Sequence, residues 1–96
     1  METPQVKAQP REAMGKGVKK LRREGVLPGV VYGTSIAGVE PIALNARDFA
    51  KVYAQTGLGG TVQLQVEGGA TRTARIFQVQ HDNLHRNLIH VDFYVS

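Results

Sequence analysis

The chain alternates apolar and polar residues with a period of two in several stretches, the signature of strands with one buried face. Thr61 to Val66 does so most cleanly, with Val62, Leu64 and Val66 on one side and Gln63 and Gln65 on the other. Leu88 to Val95 puts Ile89, Val91, Phe93 and Val95 on one face and His90, Asp92 and Tyr94 on the opposite one. Gln5 to Arg11 alternates weakly, and Pro10, which cannot donate to a ladder, marks it as an edge strand. Val30-Val31-Tyr32 predicts a strand from Pro28 to Tyr32, turned back by the loop Gly33 to Gly38 into a second strand, Val39 to Leu44. Glu67-Gly68-Gly69 joins the 61–66 strand to Thr71–Gln80 as a hairpin.

The best-marked helix follows Leu44. Asn45 is placed to cap it, Asp48 sits three residues on, Phe49, Val52 and Tyr53 form an apolar face, and Gly57 stops it. A shorter helix is expected over Val18 to Glu24, after the turn around Gly15 and Gly17 and before Gly25. His81 to Asn87 reads as an irregular or helical bridge to the last strand. The pattern predicts one α+β domain over residues 1–96: a small six-stranded, mainly antiparallel β-barrel or strongly curved sheet, with two or three short helices closing its ends.

Charge changes this picture at one end. Residues 1–25 carry seven basic side chains against three acidic ones, whereas the remaining 71 carry five of each, so the formal net charge of +4 is a property of one segment. Around the short helix Lys16, Lys19, Lys20 and Arg23 fall at i, i+3, i+4 and i+7, a helical spacing that puts them in a stripe opposite Val18 and Leu21. A run of this size is as often a solvated helix face as a binding surface. Its one-sidedness in an otherwise neutral chain, beside two glycines, favours a polyanion, because lysine offers point charges and arginine a flat donor fork for phosphates.

Composition removes several chemistries. Without cysteine there is no disulfide framework, thiolate metal site or cysteine nucleophile. No apolar run approaches the roughly 20 residues of a membrane span, and METPQVKAQPRE lacks a signal-peptide pattern, so a soluble protein of the cytoplasm is expected. His81, His85 and His90 have no carboxylates at metal-ligand spacing, and no serine lies in a nucleophile motif. Gly57-Leu58-Gly59-Gly60 lacks phosphate-loop spacing and reads as a turn.

What remains is polar and outward. His90 and Asp92 share a strand face about 7 Å apart. Alone, such a pair is more often a surface hydrogen-bonding pair than an acid–base couple, but it is suited to RNA, where a carboxylate accepts from exocyclic amines and 2′-hydroxyls and an imidazole stacks or donates. Tyr32, closing its strand, reads first as half-buried core. Gln78 and Gln80 are either solvent-facing or donors and acceptors for base edges.

Taken in order, Arg11, LRREG (21–25), LPGVVYG (27–33), the late Val79-Gln80 and HVDFY (90–94) resemble the family of bacterial large-subunit ribosomal protein twenty-five, whose longer members are called CTC or general stress proteins. The likeness covers essentially the whole chain. It implies a six-stranded barrel with two or more helices, no catalysis, and 5S rRNA as partner within the large ribosomal subunit in the cytoplasm. It also implies RNA-binding roles for Arg11, Lys16, Lys19, Lys20, Arg22, Arg23, Tyr32, Gln80, His90 and Asp92. Val18-Lys19-Lys20 is one residue shorter than the corresponding spacing in short members, so the matching of Lys16, Lys19 and Lys20 to individual family positions stays open. The long members continue into another domain, so a chain stopping at Ser96 is a short form or part of a long one. No cofactor is expected, Mg²⁺ at the RNA interface is left open, and the free protein is expected to be a monomer. The rival readings are a generic RNA-binding or acidic-peptide-binding barrel, and an RNA-cleaving enzyme built on His90, Asp92 and Tyr32.

Overall fold

Alternation of small and branched apolar residues with polar ones lets six strands bury one face each and wrap around a shared core. The computed structural model describes residues 3–10, 25–69, 71–84 and 87–96. Its elements are β1 (Gln5–Pro10), β2 (Val26–Gly33), β3 (Glu40–Asn45), α1 (Ala46–Thr56), β4 (Thr61–Val66), β5 (Thr71–His81) and β6 (Leu88–Val95). The strands close into a barrel in the order β1-β3-β2-β6-β5-β4. Neighbours are antiparallel except at the β1/β4 and β2/β6 seams, which are parallel. The mainly antiparallel barrel expected from the sequence is therefore the fold.

Closure corrects the reading of β1 as an edge. It lies between β3 and β4, and Pro10 is accommodated because the ladder with β4 ends at Ala8↔Val66, two residues earlier. The second strand begins at Val26 rather than Pro28, and the third at Glu40, since Val39 is exposed. Pro28 is tolerated inside β2 for a similar reason: the β2/β6 ladder starts only at Gly29↔Val91.

Asn45 caps α1 as the sequence predicts. Its Oδ1 accepts from the Asp48 N–H at 3.0 Å, and the Gly57 N–H returns to the Tyr53 carbonyl at 2.8 Å with the glycine at φ 73°. The helix packs on β1 and β3 and buries Phe49, whose ring meets Phe93 edge-on at 5.9 Å and stacks on Tyr53 at the same distance. At the barrel end away from α1, Arg72 and Glu40, each on the inward phase of its strand, form an ion pair of 2.7 Å.

One helix is present among the described residues. The basic helix expected over Val18 to Glu24 lies outside them. The stretch after β5 is a turn rather than a helix among the described residues: the Leu84 N–H donates to Asp82 Oδ1 at 2.8 Å, and the Asp82 N–H donates to the Asn87 carbonyl at 2.8 Å.

The buried core is apolar among the described residues and is centred on Leu27, Val31, Val62, Leu64, Ile76, Val91 and Phe93, all at 0% exposure. Gly29 belongs to this packing. A Cβ there would lie 2.8 Å from the Val91 carbonyl oxygen, so the close approach of β2 to β6 requires a residue without one.

Candidate nucleic-acid interface

The parallel seam between β2 and β6 and the antiparallel pairing of β6 with β5 build one continuous outer surface. On β6 the buried residues are Val91, Phe93 and Val95, so His90, Asp92 and Tyr94 face outward. On β2 Val31 is buried, which turns Val30 and Tyr32 outward, and the register sets Val30 beside Asp92 and Tyr32 beside Tyr94. On β5 Gln78 lies opposite Asp92 and Gln80 opposite His90.

A break in the alternation of β5 makes that last pairing. Ala74 and Ile76 are buried, and strict alternation would carry Gln78 and Gln80 into the core with them. Instead a bulge lies between Ile76 and Gln78: Ile76 pairs with Phe93, Gln78 with Asp92, and Phe77 is the extra residue. Phe77 and Gln78 are both exposed, and the inward phase resumes at Val79, opposite Val91. Sequence reasoning missed Phe77. The available signal was the apolar phase of β5 changing from even positions, 74 and 76, to the odd position 79.

The outward side chains of β2 and β6 converge on one carboxylate. Tyr32 donates its hydroxyl proton to Asp92 Oδ2 at 3.2 Å, joining residues 60 positions apart in sequence. His90 Nδ1 approaches Asp92 Oδ1 to 3.0 Å, with the two side chains 28% and 20% exposed. That nitrogen is out of contact with solvent and forms no aligned hydrogen bond, so the pair is a close contact of ring and charge rather than a directed bond. Burial pushes the Tyr32 hydroxyl above the usual tyrosine pKa of 10.0, with the charge of Asp92 and the hydrogen bond to it acting in the same direction.

Three rings flank this polar group. Tyr32 meets Phe77 edge-on at 6.1 Å and Tyr94 edge-on at 6.2 Å, and Phe77 and Tyr94 lie 5.9 Å apart, tilted by 36°. Arg75, exposed, is paired with Tyr94 across the strands.

Of the residues singled out from the sequence, Tyr32, Gln80, His90 and Asp92 are brought together on this face by three different strands. Arg11, Lys16, Lys19, Lys20, Arg22 and Arg23 lie outside the described residues. Among the described residues, no three His, Asp or Glu side chains gather in a way that could hold a metal ion.

Comparison with known proteins bears on this barrel directly. The model of the Ribosomal L25p family matches residues 6–93. The large ribosomal subunit protein bL25 of Roseiflexus castenholzii is 41% identical over 87 residues, covering 88% of this chain and 38% of its own length. The bL25 of Caldicellulosiruptor saccharolyticus is 40% identical over 86 residues, covering 88% of this chain and 41% of its own length. That of Herpetosiphon aurantiacus is 35% identical over 96 residues, covering 98% of this chain and 47% of its own length. The chain thus spans less than half the length of these relatives. With a family match across nearly the whole barrel, the chain belongs to the Ribosomal L25p family.

Proposed function

We propose that this chain is a structural, non-catalytic component of the large ribosomal subunit that binds 5S rRNA in the cytoplasm. The observation that carries the reading is the Tyr32–Asp92–His90 group on the outward face of β2 and β6, in a chain belonging to a family of ribosomal proteins.

Two kinds of contact divide the work. Arg11, Lys16, Lys19, Lys20, Arg22 and Arg23 grip phosphates, a sequence-blind interaction that supplies affinity. In sequence this segment ends at Gly25, one residue before the strand that carries Tyr32. The sheet face approaches the wide, shallow groove of A-form RNA, where 2′-hydroxyls and base edges are accessible. There the Asp92 carboxylate, whose oxygens each keep further acceptor capacity, receives from a 2′-hydroxyl or exocyclic amine. Gln78 and Gln80 add paired donor and acceptor groups. Tyr32 holds the carboxylate by a hydrogen bond while the His90 ring lies against its other oxygen, so one side of the acceptor is set before RNA arrives.

A gel-shift titration of 5S rRNA against tRNA and a plain RNA duplex, at two salt concentrations, tests the proposal. Binding to 5S rRNA is expected to exceed both competitors, and its advantage to persist as salt weakens all three. Equal affinity for the three RNAs would leave a generic basic barrel and overturn the reading.

A further inference from the structure

Phe77 is not part of the buried core. It is 56% exposed, and its neighbour Ile76 already fills the core position opposite Phe93. A bulge in β5 turns it outward, onto the face that carries Asp92 and Gln78. Leaving a phenyl ring in water forgoes the stabilisation its burial would bring, and bulges recur where a side chain is re-aimed at a site. The ring is not isolated: Tyr32 and Tyr94 stand around it at 6.1 and 5.9 Å, and Tyr32 is itself held by Asp92.

We infer that Phe77, backed by Tyr32 and Tyr94, is a stacking ledge for one unpaired base of the RNA, adjoining the Asp92–Gln78–Gln80 surface. Phenylalanine has no polar atom, so it offers a flat apolar surface and cannot read a base edge; a base displaced from its helix is the part of an RNA that fits it. Tyr32 and Tyr94 flank the ring on this face. Arg75, exposed on the same strand and paired with Tyr94, lies where it can meet the phosphate beside such a nucleotide. The ledge therefore selects a structural feature of the RNA, an unstacked nucleotide, whereas the acidic and amide groups beside it address paired regions.

This inference rests on the RNA-binding reading and extends it. The test uses the intact chain, its Phe77→Ala and Phe77→Tyr variants, 5S rRNA and a fully paired RNA duplex. Because Phe77 is exposed, the variants are expected to melt with the parent, which thermal unfolding checks. Phe77→Ala is expected to weaken binding to 5S rRNA by roughly 5- to 150-fold, the range that loss of one base–aromatic stack produces, with duplex binding unmoved. Phe77→Tyr, which keeps a ring, recovers most of that loss. In the parent complex, 2-aminopurine substituted at successive unpaired positions of 5S rRNA is quenched at one of them, and the quench disappears with alanine. If the parent prefers 5S rRNA but Phe77→Ala binds it equally well, or loses as much on the duplex, the ledge is wrong and the ring faces a protein or solvent. If the parent itself shows no preference for 5S rRNA, the RNA reading falls and the ledge falls with it.

Discussion

Asp92 is the residue on which the outward face depends, since Tyr32 donates to one of its oxygens and His90 lies against the other. Replacing it with alanine frees the Tyr32 hydroxyl and removes the carboxylate acceptor from this face. Asp92→Ala is therefore expected to lose discrimination between 5S rRNA and an unrelated duplex while keeping most of its phosphate-driven affinity, measured by competition at fixed salt. Undiminished discrimination would remove Asp92 from the recognition surface. The same contact is visible in the titration of Tyr32. Its hydroxyl is raised above 10.0 by burial first and by Asp92 second, so Asp92→Asn should lower its pKa part of the way and not fully. Because the folded value exceeds the unfolded one, the stability this residue contributes is complete below about pH 10 and is lost as pH rises through the folded value. Tyrosine ring carbons followed by NMR from pH 8 to 12 would show this; a Tyr32 midpoint at or below 10.0 in the parent, or one unmoved in Asp92→Asn, contradicts it.

At the scale of the element, two positions show where local chemistry decides the structure. Asn45→Ala removes the oxygen that accepts from Asp48 and should cost about 1 kcal/mol, a loss of roughly 4–8 °C in thermal midpoint for a domain of this size. Gly29→Ala drives a methyl group against the Val91 carbonyl and should cost about 1–3 kcal/mol, read as a lower urea midpoint with unchanged slope. A parent-like midpoint would mean that the β2/β6 seam yields more easily than its spacing indicates. The helix cap was legible in the sequence because it depends on residues three apart. The Gly29 constraint was not, because the atom it avoids is 62 positions away on another strand. The bulge at Phe77 was missed for a related reason: a period-two pattern assumes an unbroken ladder, and the phase change was spread over only Ala74, Ile76 and Val79. The barrel was legible but not the seams that close it, since β1/β4 and β2/β6 are parallel pairings between strands distant in sequence, and it is the β1/β4 seam that turns β1 from an edge into an interior strand. Tyr32, Gln80, His90 and Asp92 were named from their motifs, but what links Tyr32 to Asp92 is that second seam.

For the whole molecule the controlling fact is the uneven charge, with the entire net +4 in residues 1–25 and none over residues 26–96. If that segment grips phosphates and the sheet face reads shape, the two contributions separate by salt. Each phosphate contact releases condensed counterions, so affinity falls with salt in proportion to the number of such contacts, whereas hydrogen bonds and stacking on β2, β6 and β5 contribute little to that slope. Lys20→Ala and Arg23→Ala are each expected to reduce the slope of log affinity against log salt by about 1 and to weaken 5S rRNA and duplex alike. Asp92→Ala should leave the slope near the parent value while erasing the preference for 5S rRNA. Binding isotherms at four or more salt concentrations for these variants with both RNAs measure slope and preference independently. A parent slope retained in both basic variants would remove Lys20 and Arg23 from the phosphate grip, and the barrel face would then have to supply affinity as well as selectivity. With a net charge of zero over residues 26–96, that face has little long-range attraction for a polyanion, which is why the basic segment is expected to dominate the slope.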